Sequence, residues 1–360
     1  MKEVSARTLA FGAPAPDRIA LLSIWFHGHN NPRYAELLPR LERLDACLLK
    51  LPTARIPRGL GFRAFIATRP LLHRSVFAGA ARRYRNLLAL DFTQLPRWPN
   101  ATVMDADDPF FAERELAALS SPSVKAYVVT AEVAARQYES LGIEKPWVVI
   151  PQGVDVSAAT PGLRREANAR KQPGERVLGW MAAHLLTAGD RGAENPLYNV
   201  DHLLELWDEI HARVPDGRLW LVGEPSTRLR DRLADRGDIL LFGRLARPQA
   251  LATAAAFDVA PYARTADQGI RAAKISELIG LGVPTVSYDY AVTKNLEELG
   301  AGILVPDARA FVEATVRLLT DEEARGPLST AAARAGRDLD WDVLARRYQS
   351  EVLDRYLPPE

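Results

Sequence analysis

The hydrophobic pattern of this chain changes period repeatedly. Ile19-Ala20-Leu21-Leu22-Ser23-Ile24-Trp25-Phe26 is a short, nearly continuous apolar run. That is the pattern of a strand buried on both faces. A turn from His27 to Pro32 follows, and then Leu37, Leu38, Leu41 and Leu44 recur at helical spacing, which predicts a helix over 34–44. Ala46 to Leu51 predicts the next strand, followed by Asn86 to Leu90, Ala101 to Met104, Ala126 to Val129 and Trp147 to Ile150. A helix is predicted over 131–141. Strands separated by helices imply parallel pairing through crossover connections.

The periodicity lapses from Val156 to Glu175, where Thr160-Pro161-Gly162 and Pro173-Gly174 read as a linker. Alternation then restarts. Strands are predicted at 176–181, 218–222, 239–242, 259–261, 284–288 and 302–305. Helices are predicted at 199–214, 248–256, 272–281, 308–319, 322–337 and 341–357. The predicted fold class is α/β, with two Rossmann-like, doubly wound parallel-sheet domains in series facing a central cleft. Residues 1–157 form the first, 158–340 the second, and 341–360 a C-terminal helix that packs back on the first. Ligands of open parallel sheets bind beyond the carboxyl ends of the strands, so the chemistry is sought in the loops that follow them.

Composition narrows the function classes. Hydrophobic residues make up 48% and charged residues 25% of the 360, the balance of a globular protein. Net charge is +1, from 46 basic and 45 acidic residues, which argues against nucleic acid as a partner. The single cysteine, Cys47, excludes an internal disulfide and reads as a small core residue. No apolar run is long enough to span a membrane, and the expected location is the cytoplasm. Charge is nonetheless uneven. Arg55, Arg58, Arg63, Arg69, Arg74, Arg82, Arg83, Arg85 and Arg97 stand between Thr53 and Arg97, interleaved with apolar residues and opposed by Asp91 alone. That stretch, 53–97, is a candidate for peripheral contact with an anionic membrane surface, for an anionic acceptor, or for a solvated helical face.

The most informative segment runs from Gly269 to Val286. A glycine opens a helix on which Arg271, Lys274 and Glu277 recur three residues apart, and Gly282 and Pro284 end it. A glycine-led helix start offers backbone N–H groups to an anion. Two cations on the first turns add to this, and a carboxylate one turn on could accept ribose hydroxyls. The pattern suits a nucleotide diphosphate. Its plain alternative is a surface helix with i,i+3 ion pairs.

Several pieces in order, Val149-Ile150-Pro151-Gln152-Gly153, Leu178-Gly179-Trp180, Leu221-Val222-Gly223, Phe242-Gly243-Arg244, Phe257-Asp258-Val259-Ala260-Pro261 and Lys274 to Pro284, resemble the glycosyltransferases of the two-Rossmann GT-B fold, family 4-like (group 1). The resemblance covers roughly 125–350. It implies transfer of a sugar from a UDP- or GDP-type nucleotide-sugar to a hydroxyl on a lipid-linked glycan, exopolysaccharide or small natural product, with no cofactor and no metal. It also implies that the segment after Gly223 and the turn at Gly243 and Arg244 hold the base and phosphates, with Glu277 on the donor ribose. The family's first glutamate falls at Gly269, with Asp267 the nearest carboxylate, so Lys274-Ile275-Ser276-Glu277 reads as a K-x-x-E helix instead. Tyr198-Asn199 stand where a phosphate-neutralising lysine is usual. Arg244, Arg271 and Lys274 are the replacements, with Arg191 a further candidate.

In the first half, Asp105, Asp107 and Asp108 follow a strand. One of them could take the proton of an attacking hydroxyl. Asp105 is the favoured base, with Asp108 beside it, while a helix cap is the alternative for Asp107 or Asp108. In the loop His27-Gly28-His29-Asn30, Gly28 permits close backbone approach to donor or acceptor, and His29 is the candidate site histidine. His184, beyond the Gly179 strand, is expected at the donor. Two other functions fit the double fold: a nucleotide-sugar epimerase, and a non-catalytic nucleotide-sugar-binding protein. A nicotinamide dehydrogenase is excluded because no G-x-G-x-x-G follows a strand.

Overall fold

The computed structural model describes residues 2–3, 13–23, 33–48, 78–90, 100–107, 109, 111–195, 198–266 and 273–359. The chain divides into one unit of Met1–Pro151 with Trp341–Glu360 and a second of Gln152–Asp340.

The first unit is built on a parallel sheet of β1 (Lys2–Glu3), β2 (Ile19–Ser23), β3 (Leu44–Leu48), β4 (Asn86–Ala89), β5 (Ala101–Ala106), β6 (Val124–Val129) and β7 (Trp147–Val149). Their order across the sheet is β1-β3-β2-β4-β5-β6-β7. Ala20 pairs with Asp45 and Leu87, and Asp105 with Val128. One core cluster of this unit holds Cys47 with Ala80, Tyr84, Leu119 and Tyr138. Burial pushes the Cys47 thiol up to about 12, with Asp45 adding to it, so it serves as a core residue. A second cluster joins Leu37, Leu38 and Leu41 to Trp341, Leu344, Tyr348, Val352 and Leu353 of the C-terminal segment.

Two predicted helices take other forms. Over 34–44 the chain makes a π-helical turn, Arg33–Leu37, and a 3-10 turn, Leu38–Arg40. Pro39 lies in that second turn; it has no N–H to donate, and its ring opposes an α-helix there. Arg43 then adopts φ 60° and turns the chain into β3. The predicted final helix begins as an α-helix, Trp341–Arg347, and widens to a π-helix over Tyr348–Leu353.

The second unit has β8 (Arg176–Leu185), β9 (Gly217–Pro225) and β10 (Ile239–Gly243) in the order β10-β9-β8, and β11 (Ala260–Tyr262), β12 (Thr285–Tyr288) and β13 (Gly302–Val305) in sequence order. A parallel bridge between Leu178 and Val259 joins the two ribbons. Its helices include α1 (Asp201–Arg213), α2 (Thr227–Arg232), α3 (Arg247–Ala254), α4 (Ala273–Gly280) and α5 (Ala308–Thr320). Leu203, Leu204, Trp207 and Ile210, the apolar stripe of α1, enter the core. The expected linker at 156–175 contains a helix, Pro161–Asn168, capped by the Thr160 hydroxyl, which accepts from Leu163 N. Pro161 at its first position suits a helix start, a signal that the lack of apolar periodicity concealed.

Candidate functional site

Neighbouring strands of the second unit run parallel, so the segments that follow β10 and β11 emerge at the same carboxyl edge. Arg247 opens α3 after β10, and Arg264 stands just beyond β11. Lys274 and Glu277 lie one turn apart on α4. Arg247 Nη1 donates to Glu277 Oε1 at 2.7 Å, and Glu277 is 7% exposed. Arg247 Nη2 is buried with no hydrogen-bond partner among the described residues. Arg264 is 3% exposed, with its guanidinium 5.1 Å from the centre of the Tyr262 ring. Tyr290 donates its hydroxyl proton to the Arg264 carbonyl at 3.1 Å.

Burial lowers the Lys274 ammonium below its ordinary range; Glu277 opposes this and Arg264 adds to it. Arg247 and Lys274 therefore stand by the Glu277 carboxylate, with Arg264 near Lys274, in a partly dehydrated place. Crowding like charges away from water is unfavourable unless an anion joins them. The arrangement is suited to a phosphate group, and Glu277 can accept hydroxyl hydrogens beside it.

A hollow of about 540 Å³ opens beside the segment that carries Arg264, lined by Ala193, Asn199, Asp201, His202, Ala263 and Thr265 among others. Asp201, at the start of α1, accepts from Ala188 N at 2.7 Å and from Arg232 Nη1 at 2.5 Å. These bonds tie down the loop that enters α1. His202 Nε2 is 2.6 Å from the Tyr288 hydroxyl. Burial pushes the Tyr288 phenol up to about 12, with Tyr290 and Asp307 adding to it. The phenol therefore stays protonated beside the imidazole nitrogen. Another hollow of about 440 Å³, with His211, Asp216 and Arg218 in its wall, holds none of the clustered cations. Among the described residues no three His, Cys, Asp or Glu side chains gather as metal ligands.

Residues 183–321 match the family model of the glycosyl transferases, group 1.

A search of curated proteins finds no match. Solved structures resemble the chain over nearly its full length. Sucrose-phosphate synthase from Thermosynechococcus elongatus is 16% identical with a TM-score of 0.63, covering 95% of this chain and 99% of its own. Anabaena HepE in complex with UDP-glucose is 14% identical with a TM-score of 0.63, covering 94% and 99%. WaaG, a glycosyltransferase involved in lipopolysaccharide biosynthesis, is 12% identical with a TM-score of 0.61, covering 94% and 99%. At these identities the likeness is one of fold, and the fold is GT-B.

The group 1 segment spans the whole cation cluster. Of the residues predicted within it, Lys274 and Glu277 belong to the cluster. Arg244 is exposed, and the guanidinium that reaches Glu277 comes from Arg247 instead. His184 is exposed and meets the Tyr198 ring edge-on at 5.5 Å. Gly223 has φ 149°, and a Cβ there would stand 2.2 Å from the Ala182 carbonyl oxygen. Its lack of a side chain is required by the close approach of β8 and β9. Gly243 has φ 68° and open space where a Cβ would go, so only the left-handed backbone calls for glycine. Arg191 is exposed in the loop before α1. Arg271, Asp267 and Gly269 lie outside the described residues.

In the first unit Gly28, His29 and Asp108 also lie outside the described residues, as does most of the basic stretch. Asp105, the expected base, lies enclosed within the first unit. It is 1% exposed, and its Oδ2 accepts from Arg33 Nη2 at 3.1 Å and from the Tyr348 hydroxyl at 2.9 Å. Its Oδ2 is thus held by a guanidinium and a phenol in this structure. No helix among the described residues is long and apolar enough to cross a membrane.

Sequence reasoning missed Arg247, Arg264, His202 and Arg33. Arg247 and Arg264 each follow a strand end closely, which was the available signal. Nothing in the sequence announced Arg33 as a fully buried residue.

Proposed function

We propose that the protein transfers a sugar from a nucleotide-diphosphate-sugar of the UDP or GDP type to a hydroxyl acceptor. The observation that carries this reading is the pairing of Arg247 with Glu277, with Lys274 set between the charges of Glu277 and Arg264, at the carboxyl edge of the second unit's strands. In sugar transfer the bond from the anomeric carbon to the diphosphate breaks, and negative charge grows on the departing phosphate. Cations already in place stabilise that charge without reorganising. Glu277 has Arg247 as its hydrogen-bond partner among the described residues; its remaining capacity suits the ribose hydroxyls. The group 1 match over this segment and the UDP-glucose held by the HepE structure support the same ligand class.

A thermal-shift panel of UDP- and GDP-sugars, followed by assay of released nucleotide, tests the reading. One nucleotide-sugar should raise the melting temperature, since a ligand bound by the folded state alone stabilises it. The same compound should be turned over with release of its nucleoside diphosphate. If no member of the panel binds, the reading is wrong. Conversion of the donor to a different sugar nucleotide, without transfer, would favour an epimerase instead.

A further inference from the structure

Arg33 is fully buried and draws together parts of the first unit that are far apart in sequence. Its Nε and Nη2 donate to Asp105 Oδ2 at 3.3 and 3.1 Å. Its Nη1 donates to the carbonyls of Ile150 and Pro151 at 2.8 and 3.2 Å. Asp107 lies 3.7 Å away. From the C-terminal segment, the Tyr348 hydroxyl donates to the same Asp105 Oδ2 at 2.9 Å. Burial opposes the Arg33 charge, and Asp105 and Asp107 more than restore it. Burial, reinforced by Asp105, pushes the Tyr348 phenol well above its ordinary value, so it stays a donor.

Two further features set this node apart from an ordinary buried ion pair. Arg33 and Tyr348 each open a π-helical stretch, a rare form that recurs at functional sites. Asp105 Oδ1 is buried with no hydrogen bond among the described residues, a cost that calls for a reason. The node also has a particular place in the chain. Arg33 follows the segment that contains His27 to Asn30, and Asp105 and Asp107 lead into Asp108.

We propose that Arg33, Asp105 and Tyr348 form a positioning node for the transfer reaction, fixing the chain at 33–38 and 105–107. The node rests on the glycosyl-transfer reading. Its members act through the segments they hold and do not touch substrate. Tyr348, from the last turns of the chain, thereby becomes a determinant of turnover.

The test is Tyr348→Phe in the full chain, which deletes one hydroxyl and keeps the ring. Hydrogen exchange should quicken severalfold in peptides covering 33–38 and 105–112 and stay unchanged in the second unit. With the nucleotide-sugar that shifts the wild-type melting temperature most, kcat should fall about tenfold while donor KM holds within about twofold. Arg33→Lys should also lose turnover, since an ammonium cannot serve both the carboxylate and the two carbonyls. Unchanged local exchange in Tyr348→Phe would overturn the node, as would a kcat equal to that of the wild type. A wild-type protein that binds no nucleotide-sugar would instead mark failure of the functional reading, and the exchange experiment would still judge whether the node holds these segments.

Discussion

Arg247 and Glu277 lie 30 residues apart in sequence and meet at 2.7 Å, which joins the start of α3 to the middle of α4. The contact fixes the carboxylate that the described residues place among these cations. It also leaves the other amino group of the Arg247 guanidinium, Nη2, buried without a partner among the described residues.

Glu277→Gln should weaken nucleotide-sugar binding by about 10- to 100-fold, because a hydrogen bond to a charged group is worth roughly 1.5–3 kcal/mol. Isothermal titration with the bound nucleotide-sugar measures it. Affinity close to that of the wild type would remove Glu277 from the ribose.

Lys274→Met should have opposite effects on stability and binding. Burial lowers the Lys274 pKa in the folded protein, so between that value and the unfolded value the unfolded chain holds more protons. Stability of the donor-free protein then rises with pH across that window, which lies below the ordinary lysine value of 10.5. Replacing the amine should flatten this rise and raise the neutral-pH melting temperature, while donor affinity falls. A variant that melts lower and binds the donor normally would refute the argument.

The two glycines near the carboxyl ends of β9 and β10, Gly223 and Gly243, should answer differently to alanine. At Gly223 the added Cβ would run into backbone, whereas at Gly243 it meets nothing within 4 Å. Gly243→Ala should cost about 1–2 kcal/mol for a left-handed L residue, and Gly223→Ala distinctly more. Chemical denaturation of both variants decides it. Equal losses would mean that β8 and β9 can separate at little cost.

Trp341→Ala should destabilise the first unit by about 3–5 kcal/mol, the range for truncating a large buried aromatic residue. Trp341 is 1% exposed in the cluster shared with Leu37 and Leu38. A melting temperature within about 2 °C of the wild type would show that the returning segment is not integral to that core.

Much of the fold was legible from periodicity. Apolar runs such as Ala126 to Val129 and Gly302 to Val305 marked strands because buried parallel strands need apolar residues on both faces. The stripe of Leu203, Leu204, Trp207 and Ile210 marked α1 for the matching reason. Local backbone chemistry changed the outcome at Pro39, where a predicted helix became a 3-10 turn, and at Thr160-Pro161, where a predicted linker became a capped helix.

By itself the sequence determined the alternation of strands and helices and singled out Lys274 and Glu277, since helical spacing and glycine punctuation are local properties. Only the tertiary structure decided which charges meet. Arg247 and Arg264 come to Glu277 and Lys274 because parallel strands deliver their carboxyl ends to one edge. Asp105 is buried because Arg33 and Tyr348, 72 residues before it and 243 after, close over its carboxylate. Pairings of that kind depend on packing between distant segments, and no local pattern in the chain records them.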